Sequence, residues 1–331
     1  MTGPSLPLVP SATSAKFPQL GLGTWKAPKG VASKIVAKAI ELGYRAIDCA
    51  CDYGNEQEVG EGIRNGLKAA QLDRESLFVT SKLWNTYHKP EHVRPACMKT
   101  LSDLGLDYLD LYMIHFPISL KFVPFEKRYP PEWVHDPEDP ENATMRMEKV
   151  PLQDTWRALE ALVDEGLIRH VGVCNFPYAL LEDLLTYSRI RPSVLQIELH
   201  PYLQQPRLLQ FCKREKIVVT AFSSFGATSY KELGMDRGHN LFEDDCMKHI
   251  ARKHGKSVAQ VALRWAVQRG TAIIPKTSKV ERLVENMSVF DWELGEEDMK
   301  AIGALDRGLR YNDPGEFCVS LGMGEAVPIY D

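Results

Sequence analysis

The hydrophobic pattern of the chain repeats one unit eight times: a short apolar run breaks off at a polar or ionisable residue, and a stretch of helical periodicity follows. The runs are Leu20 to Thr24, Ala46 to Asp48, Leu77 to Lys82, Leu109 to His115, His170 to Asn175, Val194 to Glu198, Val218 to Ser223 and Ala272 to Lys276. Runs so short and so continuously apolar read as strands buried on both faces. Their alternation with helices implies a parallel sheet. Eight such units fit a closed (β/α)8 barrel of the TIM type, in which the C-terminal ends of the strands surround one site. The polar residues that end the runs then converge there, and Asp48, Lys82 and His115, at the ends of three successive strands, become a candidate catalytic set.

The intervening helices are expected at about residues 31–42, from about Asn55, and at 92–104, 152–166, 177–187, 206–216, 257–268 and 280–288. Gly43 is a left-handed stop for the first. Glu56 and Glu58 suit the positive end of the second helix's dipole. Ser257 is a fitting N-cap. A further helical stretch covers 295–305. Residues 1–16 form a Pro/Ser/Thr-rich lead-in, with a short strand over Leu6 to Pro10 at the barrel bottom. Three segments break the rhythm: a Pro/acid-rich loop at 116–150, a loop at 224–243, and a tail at 307–331 without a helical pattern, expected over the C-terminal face. Long loops in a compact domain usually serve function, and two of these leave the expected active face. The whole chain, 1–331, reads as one barrel domain.

Composition narrows the class. A charge of −4 leaves no basic footprint for nucleic acid. The seven cysteines are odd in number and scattered, forming neither a disulfide framework nor a metal-binding spacing, which suits a reducing cytoplasm. No secretory leader and no run long enough to span a membrane is seen. No metal site is expected.

The stretch from Asp48 to Glu56 carries the chemistry. Tyr53 lies just beyond a strand end, and a tyrosine is a weak acid, with a pKa of about 10. A nearby ammonium makes proton donation easier, and Lys82 can supply one, held by Asp48. His115 can hydrogen-bond the oxygen that receives the proton, and should be neutral in an apolar pocket with Trp25, Trp84 and Phe116. The four together suit reduction of a carbonyl. The hydride must come from a cofactor. No Gly-x-Gly-x-x-Gly fingerprint opens a helix, but Ile274 to Asn286 runs from a strand end into a helix, with Lys276, Ser278 and Arg282 available to a phosphate.

These motifs resemble the aldo-keto reductases from about Phe17 onward: Gly21-Leu22-Gly23-Thr24-Trp25, Asp48 with Tyr53, Thr80 to Trp84, Ile114 to Pro117, Val171 to Phe176 and Ile274 to Lys276, in family order. The resemblance implies a catalytic tetrad of Asp48, Tyr53, Lys82 and His115, and NADPH, with NADH also usable, extended across the barrel mouth. It places Asn175 and Gln196 at the carboxamide, Thr24, Trp25 and Phe222 near the nicotinamide, and Ser223, Ser224 and Gly226 at the pyrophosphate. Lys276, Thr277, Ser278 and Arg282 fall at the 2′-phosphate, and Glu285 and Asn286 at the adenosine. Glu232 could accept from a free ribose diol and so support NADH.

The nearest resemblance is to yeast-type xylose reductases, through Asp52 to Glu56, Ser81 to Asn85, His115 to Ile118, Lys121 to Pro124, His200 to Pro206, Ser223 to Gly226 and Arg310 to Pro314. It sets Asp52 and Asn312 against sugar hydroxyls and Trp25, His115 and Phe116 around a small aldose or aldehyde, in a cytoplasmic monomer or homodimer. Three positions depart from the pattern: Phe222 for a stacking Tyr, Ser278 for an Asn, and a different tail from Gly315. Aldose-6-phosphate reductases are a second resemblance, but carry a basic residue where Gly54 stands. A non-catalytic subunit sharing the fold is a third, which the intact tetrad opposes.

Overall fold

A computed structural model of the chain describes residues 3–8, 16–139, 143–235 and 237–330. Two short strands, β1 (Ser5–Pro7) and β2 (Lys16–Pro18), pair antiparallel. Eight parallel strands follow: β3 (Leu22–Gly23), β4 (Ala46–Asp48), β5 (Phe78–Leu83), β6 (Leu109–Ile114), β7 (Ile168–Cys174), β8 (Val194–Glu198), β9 (Val218–Phe222) and β10 (Ala272–Ile273), hydrogen-bonded in chain order. The ring closes between its ends, where Gly21 N–H donates to Ile273 O at 2.8 Å and Ile273 N–H to Gln19 O at 2.9 Å. The seam requires glycine, because a Cβ at Gly23 would lie 2.6 Å from Ile274 O.

The helices are α1 (Ala32–Leu42), α2 (Glu56–Ala70), α3 (Pro90–Leu104), α4 (Leu152–Asp164), α5 (Tyr178–Tyr187), α6 (Pro206–Glu215), α7 (Asp245–His254), α8 (Val258–Gln268), α9 (Val280–Met287), α10 (Glu296–Gly303) and α11 (Pro314–Ser320). Gly43 caps α1 at φ 113°, and Ser257 caps α8 in a reciprocal box with Gln260. Two helices lie outside the sequence expectations. α7 has its own cap, Asp244, which accepts from Met247 N–H, but no apolar strand precedes it to signal a unit. α11 corrects the expectation of a tail without a helix. Its Asp313 cap and Pro314 start are local signals, but at seven residues the helix is too short for a periodic stripe.

Strand alternation sorts the core into two layers. Ala46, Phe78, Leu111, Met113, Val194, Val218 and Ala272 cluster inside the barrel, and Phe17 of β2 packs on Phe78 at 4.8 Å between ring centroids. The lead-in hairpin therefore closes the bottom, with its first strand at Ser5–Pro7; Val9 and Pro10 lie outside the described residues. The alternate positions, such as Ile47, Val79, Tyr112, Ile114, Leu195 and Val219, face the helices in the main core. Each such side chain contributes roughly 1.5–3 kcal/mol by its burial.

Candidate active site

The same alternation builds the site. Ala46 belongs to the barrel-floor cluster, so Asp48, two residues on, is its neighbour on the inner face. By the same count Lys82 stands above Phe78, and Gln196 and Glu198 above Val194. The inner face thus turns from apolar to polar toward the C-terminal ends of the strands. Gly172 is small where β7 passes this row, since a Cβ there would lie 2.7 Å from Val194 O.

Lys82 is fully buried. Its Nζ donates to Asp48 Oδ2 at 2.8 Å, to Cys49 O at 2.8 Å and to Tyr53 Oη at 3.1 Å. Gln196 Nε2 donates to the other oxygen, Asp48 Oδ1, at 2.7 Å. Burial alone would lower the Lys82 pKa, but Asp48 and Tyr53 outweigh it and the net direction is upward, so the ammonium persists. Tyr53 departs from the sequence expectation. Its pKa is raised, because burial outweighs the opposing pull of Lys82. The lysine limits the rise rather than producing a net fall. His115 is held well below the ordinary histidine value by burial, with Lys82 and His88 adding to it, so the imidazole is neutral. Its ring meets that of Tyr53 edge-on at 5.9 Å. The four residues of the expected tetrad therefore come together.

One wall is aromatic. Trp84 stands edge-on to His115 at 5.2 Å and to Trp133 at 5.1 Å; Trp133 packs on Phe116 at 5.0 Å and on Phe317 of α11 at 5.2 Å. The 116–150 loop and the tail thus meet above the barrel. Trp25 packs on Tyr230 at 5.7 Å. Asp52 is half-buried; burial and the nearby Glu132 push its carboxyl up to about 7. Gly54 holds φ 65°, where a basic side chain in its place would add backbone strain. Asn312 is half-buried, and its backbone N–H is held by Glu198 at 2.8 Å.

Around the mouth, Thr24 Oγ1 donates to Asp48 O at 2.8 Å. Asn175, at φ 63°, donates to His115 O at 2.9 Å. Phe222 ends β9 half-buried, Ser223 Oγ pairs with Tyr230 Oη at 2.8 Å, and the buried Ser224 Oγ has no partner among the described residues. Gly226 turns at φ 63° beside Tyr311. Lys276, Ser278 and Arg282 are exposed where β10 leads into α9, while Thr277 is buried and accepts from Lys279 N–H at 3.0 Å. Glu232 reaches toward Lys26 at 3.8 Å and also favours the ammonium of Lys276, whose pKa burial lowers. Two further residues of the expected cofactor set lie on α9. Glu285 accepts from Ser257 Oγ at 2.5 Å, and Asn286 is buried on α9. Glu56 is likewise no surface dipole charge: it is buried, accepts from Ser81 Oγ at 2.6 Å and Thr100 Oγ1 at 3.1 Å, and burial pushes it up to about 7.

Sequence reasoning missed four contributors. Lys26 lies over the Trp25 ring at 4.9 Å, adding a cation to the mouth. Tyr230 bridges Ser223, Trp25 and Tyr311. Tyr330 donates to Asn175 Oδ1 at 3.2 Å beneath the guanidinium of Arg310. Glu198 gathers the tail. Lys26 directly follows Trp25 and Glu198 ends the run from Val194, so both were legible; Tyr230 and Tyr330 depend on long-range docking of loop and tail.

The Aldo/keto reductase family model matches residues 19–307. The chain is 49% identical over 316 residues to an NAD(P)H-dependent D-xylose reductase I,II of Candida tropicalis, covering 95% of this chain and 96% of that protein. It is 50% identical over 312 residues to the NADPH-dependent aldose reductase GRE3 of Saccharomyces cerevisiae, covering 93% and 95%. An aldose reductase from Schistosoma japonicum superposes with a TM-score of 0.83 at 37% identity, covering 95% of this chain and 96% of that one. With the barrel, its closed ring and the family model agreeing over most of its length, the chain belongs to the aldo/keto reductase family.

Proposed function

We propose that this protein is an NADPH-preferring aldose reductase that converts the open-chain aldehyde of a D-xylose-like sugar to its polyol, in a single-domain barrel working in the cytoplasm. The observation that carries the reading is the buried chain from Gln196 through Asp48 and Lys82 to Tyr53, with neutral His115 beside it. The relatives' names point the same way: NAD(P)H- or NADPH-dependent xylose and aldose reductases.

The residues present fit a dinucleotide phosphate. Ser224 offers a buried hydroxyl without a partner among the described residues, and Lys276, Ser278 and Arg282 offer exposed charge and hydrogen bonds where the chain enters α9. Asn175 and Gln196 would hold the carboxamide, Phe222 would stack on the ring, and Ser223 and Gly226 would line the pyrophosphate path. Thr24 and Trp25 would close the nicotinamide side, with Thr277 shaping the phosphate turn. When bound, NADPH supplies the hydride that reduces the carbonyl carbon.

Tyr53 gives its phenolic proton to the carbonyl oxygen. Lys82 stabilises the phenolate left behind, and Asp48 holds the ammonium at hydrogen-bond distance from Tyr53. His115, being neutral, orients the carbonyl oxygen without competing as an acid. Asp52 and Asn312 meet the sugar hydroxyls, while Trp25, Trp84 and Phe116 exclude water. Gly54 puts no cation where the sugar-phosphate reductases carry a basic residue, which disfavours a sugar phosphate. Following cofactor oxidation with xylose, arabinose, mannose 6-phosphate and simple aldehydes, using both cofactors, tests the reading. Saturable turnover of the pentoses with NADPH supports it. Preference for mannose 6-phosphate, or no turnover of any sugar, would overturn it.

A further inference from the structure

We propose that Glu198 is a positioning residue: its carboxylate fixes the tail's Asn312 beside the substrate without touching the substrate itself. The inference rests on the reading of Asn312 given above and adds the device that places it.

Glu198 is fully buried at the C-terminal end of β8, two residues beyond Gln196 and therefore on the same inner face. Its Oε1 accepts from His200 Nε2 at 2.9 Å and Tyr311 N–H at 3.0 Å. Its Oε2 accepts from Asn312 N–H at 2.8 Å and lies 3.2 Å from Tyr311 N. The two main-chain partners are N–H donors, and His200 donates as well in its Nε2–H tautomer; a carboxylate offers both oxygens to this set where an amide offers one. A buried carboxylate is costly unless it is fully paired, so a site that retains one gains mainly in geometry. Here the bonds reach the main chain of Tyr311 and Asn312. They fix where the Asn312 backbone lies, whatever side chain it carries.

The surroundings confine the effect to this segment. Before it, Leu309 N–H donates to Tyr202 O at 3.0 Å. After it, α11 is held by Phe317 on Trp133. Tyr311 stacks on Tyr230 at 5.7 Å and packs near His200 at 5.5 Å. The tail is thus docked on both sides of Glu198, and loss of the carboxylate releases residues 311 and 312 rather than the whole tail. Through Gln196 and Glu198, one strand would set both the Asp48 end of the catalytic chain and the residue that meets the sugar.

Glu198→Gln removes the charge and leaves one acceptor oxygen for the two main-chain N–H groups of Tyr311 and Asn312, and the expected result is selective. For xylose, kcat/KM should fall at least about tenfold, mostly through KM. For butanal, which has no hydroxyls for Asn312 to meet, it should stay within about threefold. The double variant with Asn312→Ala should be no worse on xylose than Asn312→Ala alone, because both changes remove one function. In hydrogen exchange on the intact protein, the Tyr311 and Asn312 amides should lose protection in Glu198→Gln. Glu198→Asp keeps the charge but sets it back one methylene. It should show an intermediate, xylose-selective loss, and is the variant to read if Glu198→Gln does not fold. Equal losses on xylose and butanal, or additive penalties in the double variant, would overturn the proposal. If the unaltered enzyme does not reduce xylose, the functional reading fails instead. The anchor is then judged by exchange alone, and retained protection at residues 311 and 312 would overturn it.

Discussion

At the scale of single residues, the site holds two buried groups in different protonation states, one charged against its burial and one neutral because of it. Buried Lys82 stays charged because Asp48 and Tyr53 outweigh its burial. His115 stays neutral because burial and the Lys82 charge both disfavour the imidazolium. A neutral imidazole predicts a pH profile. Because its folded value lies well below 6.5, His115 takes up no proton as pH falls from about 8 to about 6, and kcat/KM for aldehyde reduction should show no acid limb near 6.5. A tenfold loss per pH unit setting in near 6.5, absent from His115→Gln, would contradict the assignment. All four residues of the tetrad were legible in the sequence: Asp48, Lys82 and His115 end or directly follow buried strands, where alternation fixes which way they face, and Tyr53 sits in the short turn that follows β4. The direction of the Tyr53 shift was not legible. It depends on how deeply the folded chain buries the phenol, which no local pattern encodes.

At the scale of elements, most of the barrel could be read from the chain. Strands buried on both faces leave unbroken apolar runs, and Gly43 and Ser257 mark helix ends where the structure has them. α7 was not legible because no apolar strand precedes it, α11 because it is too short for a periodic stripe, and the dual role of β8 because the tail it holds lies far away in sequence. The entry into α9 carries the cofactor prediction. Lys276 and Arg282 are exposed there, and charge-assisted bonds to a ribose phosphate contribute roughly 1.5–3 kcal/mol each. Arg282→Ala should therefore weaken NADPH by about tenfold or more and NADH by less than about twofold, read by titrating cofactor fluorescence. Equal losses for the two cofactors would place the phosphate elsewhere. Glu232, 3.8 Å from Lys26 at the mouth, is the group expected to accept from a free ribose diol, so NADH binding should persist in this variant.

At the scale of the whole molecule, stability and pH are linked through buried ionisable groups that play no part in the chemistry. Burial pushes Glu56 up to about 7 in the folded chain, against about 4.5 when unfolded. A raised carboxyl contributes stability that is fully present below about pH 4.5 and is lost as pH rises to about 7. His88 acts in the opposite sense: burial pushes it down to about 3, so the unfolded chain takes up the extra proton below about 6.5 and stability falls as the solution is acidified. Glu56→Gln isolates the first effect. Relative to the unaltered protein, the variant should gain stability between pH 5 and pH 8, by at most about 3 kcal/mol, in urea unfolding at each pH. A difference that does not change with pH would mean that Glu56 is not held protonated by its burial. The central claim is that Tyr53 donates the proton in an NADPH-dependent reduction of an aldose, and Tyr53→Phe tests it most directly. The variant keeps the ring and removes only the hydroxyl that Lys82 Nζ reaches at 3.1 Å. NADPH oxidation with xylose should fall by about two to four orders of magnitude while fluorescence titration shows the cofactor still bound; turnover close to that of the unaltered enzyme would contradict the account.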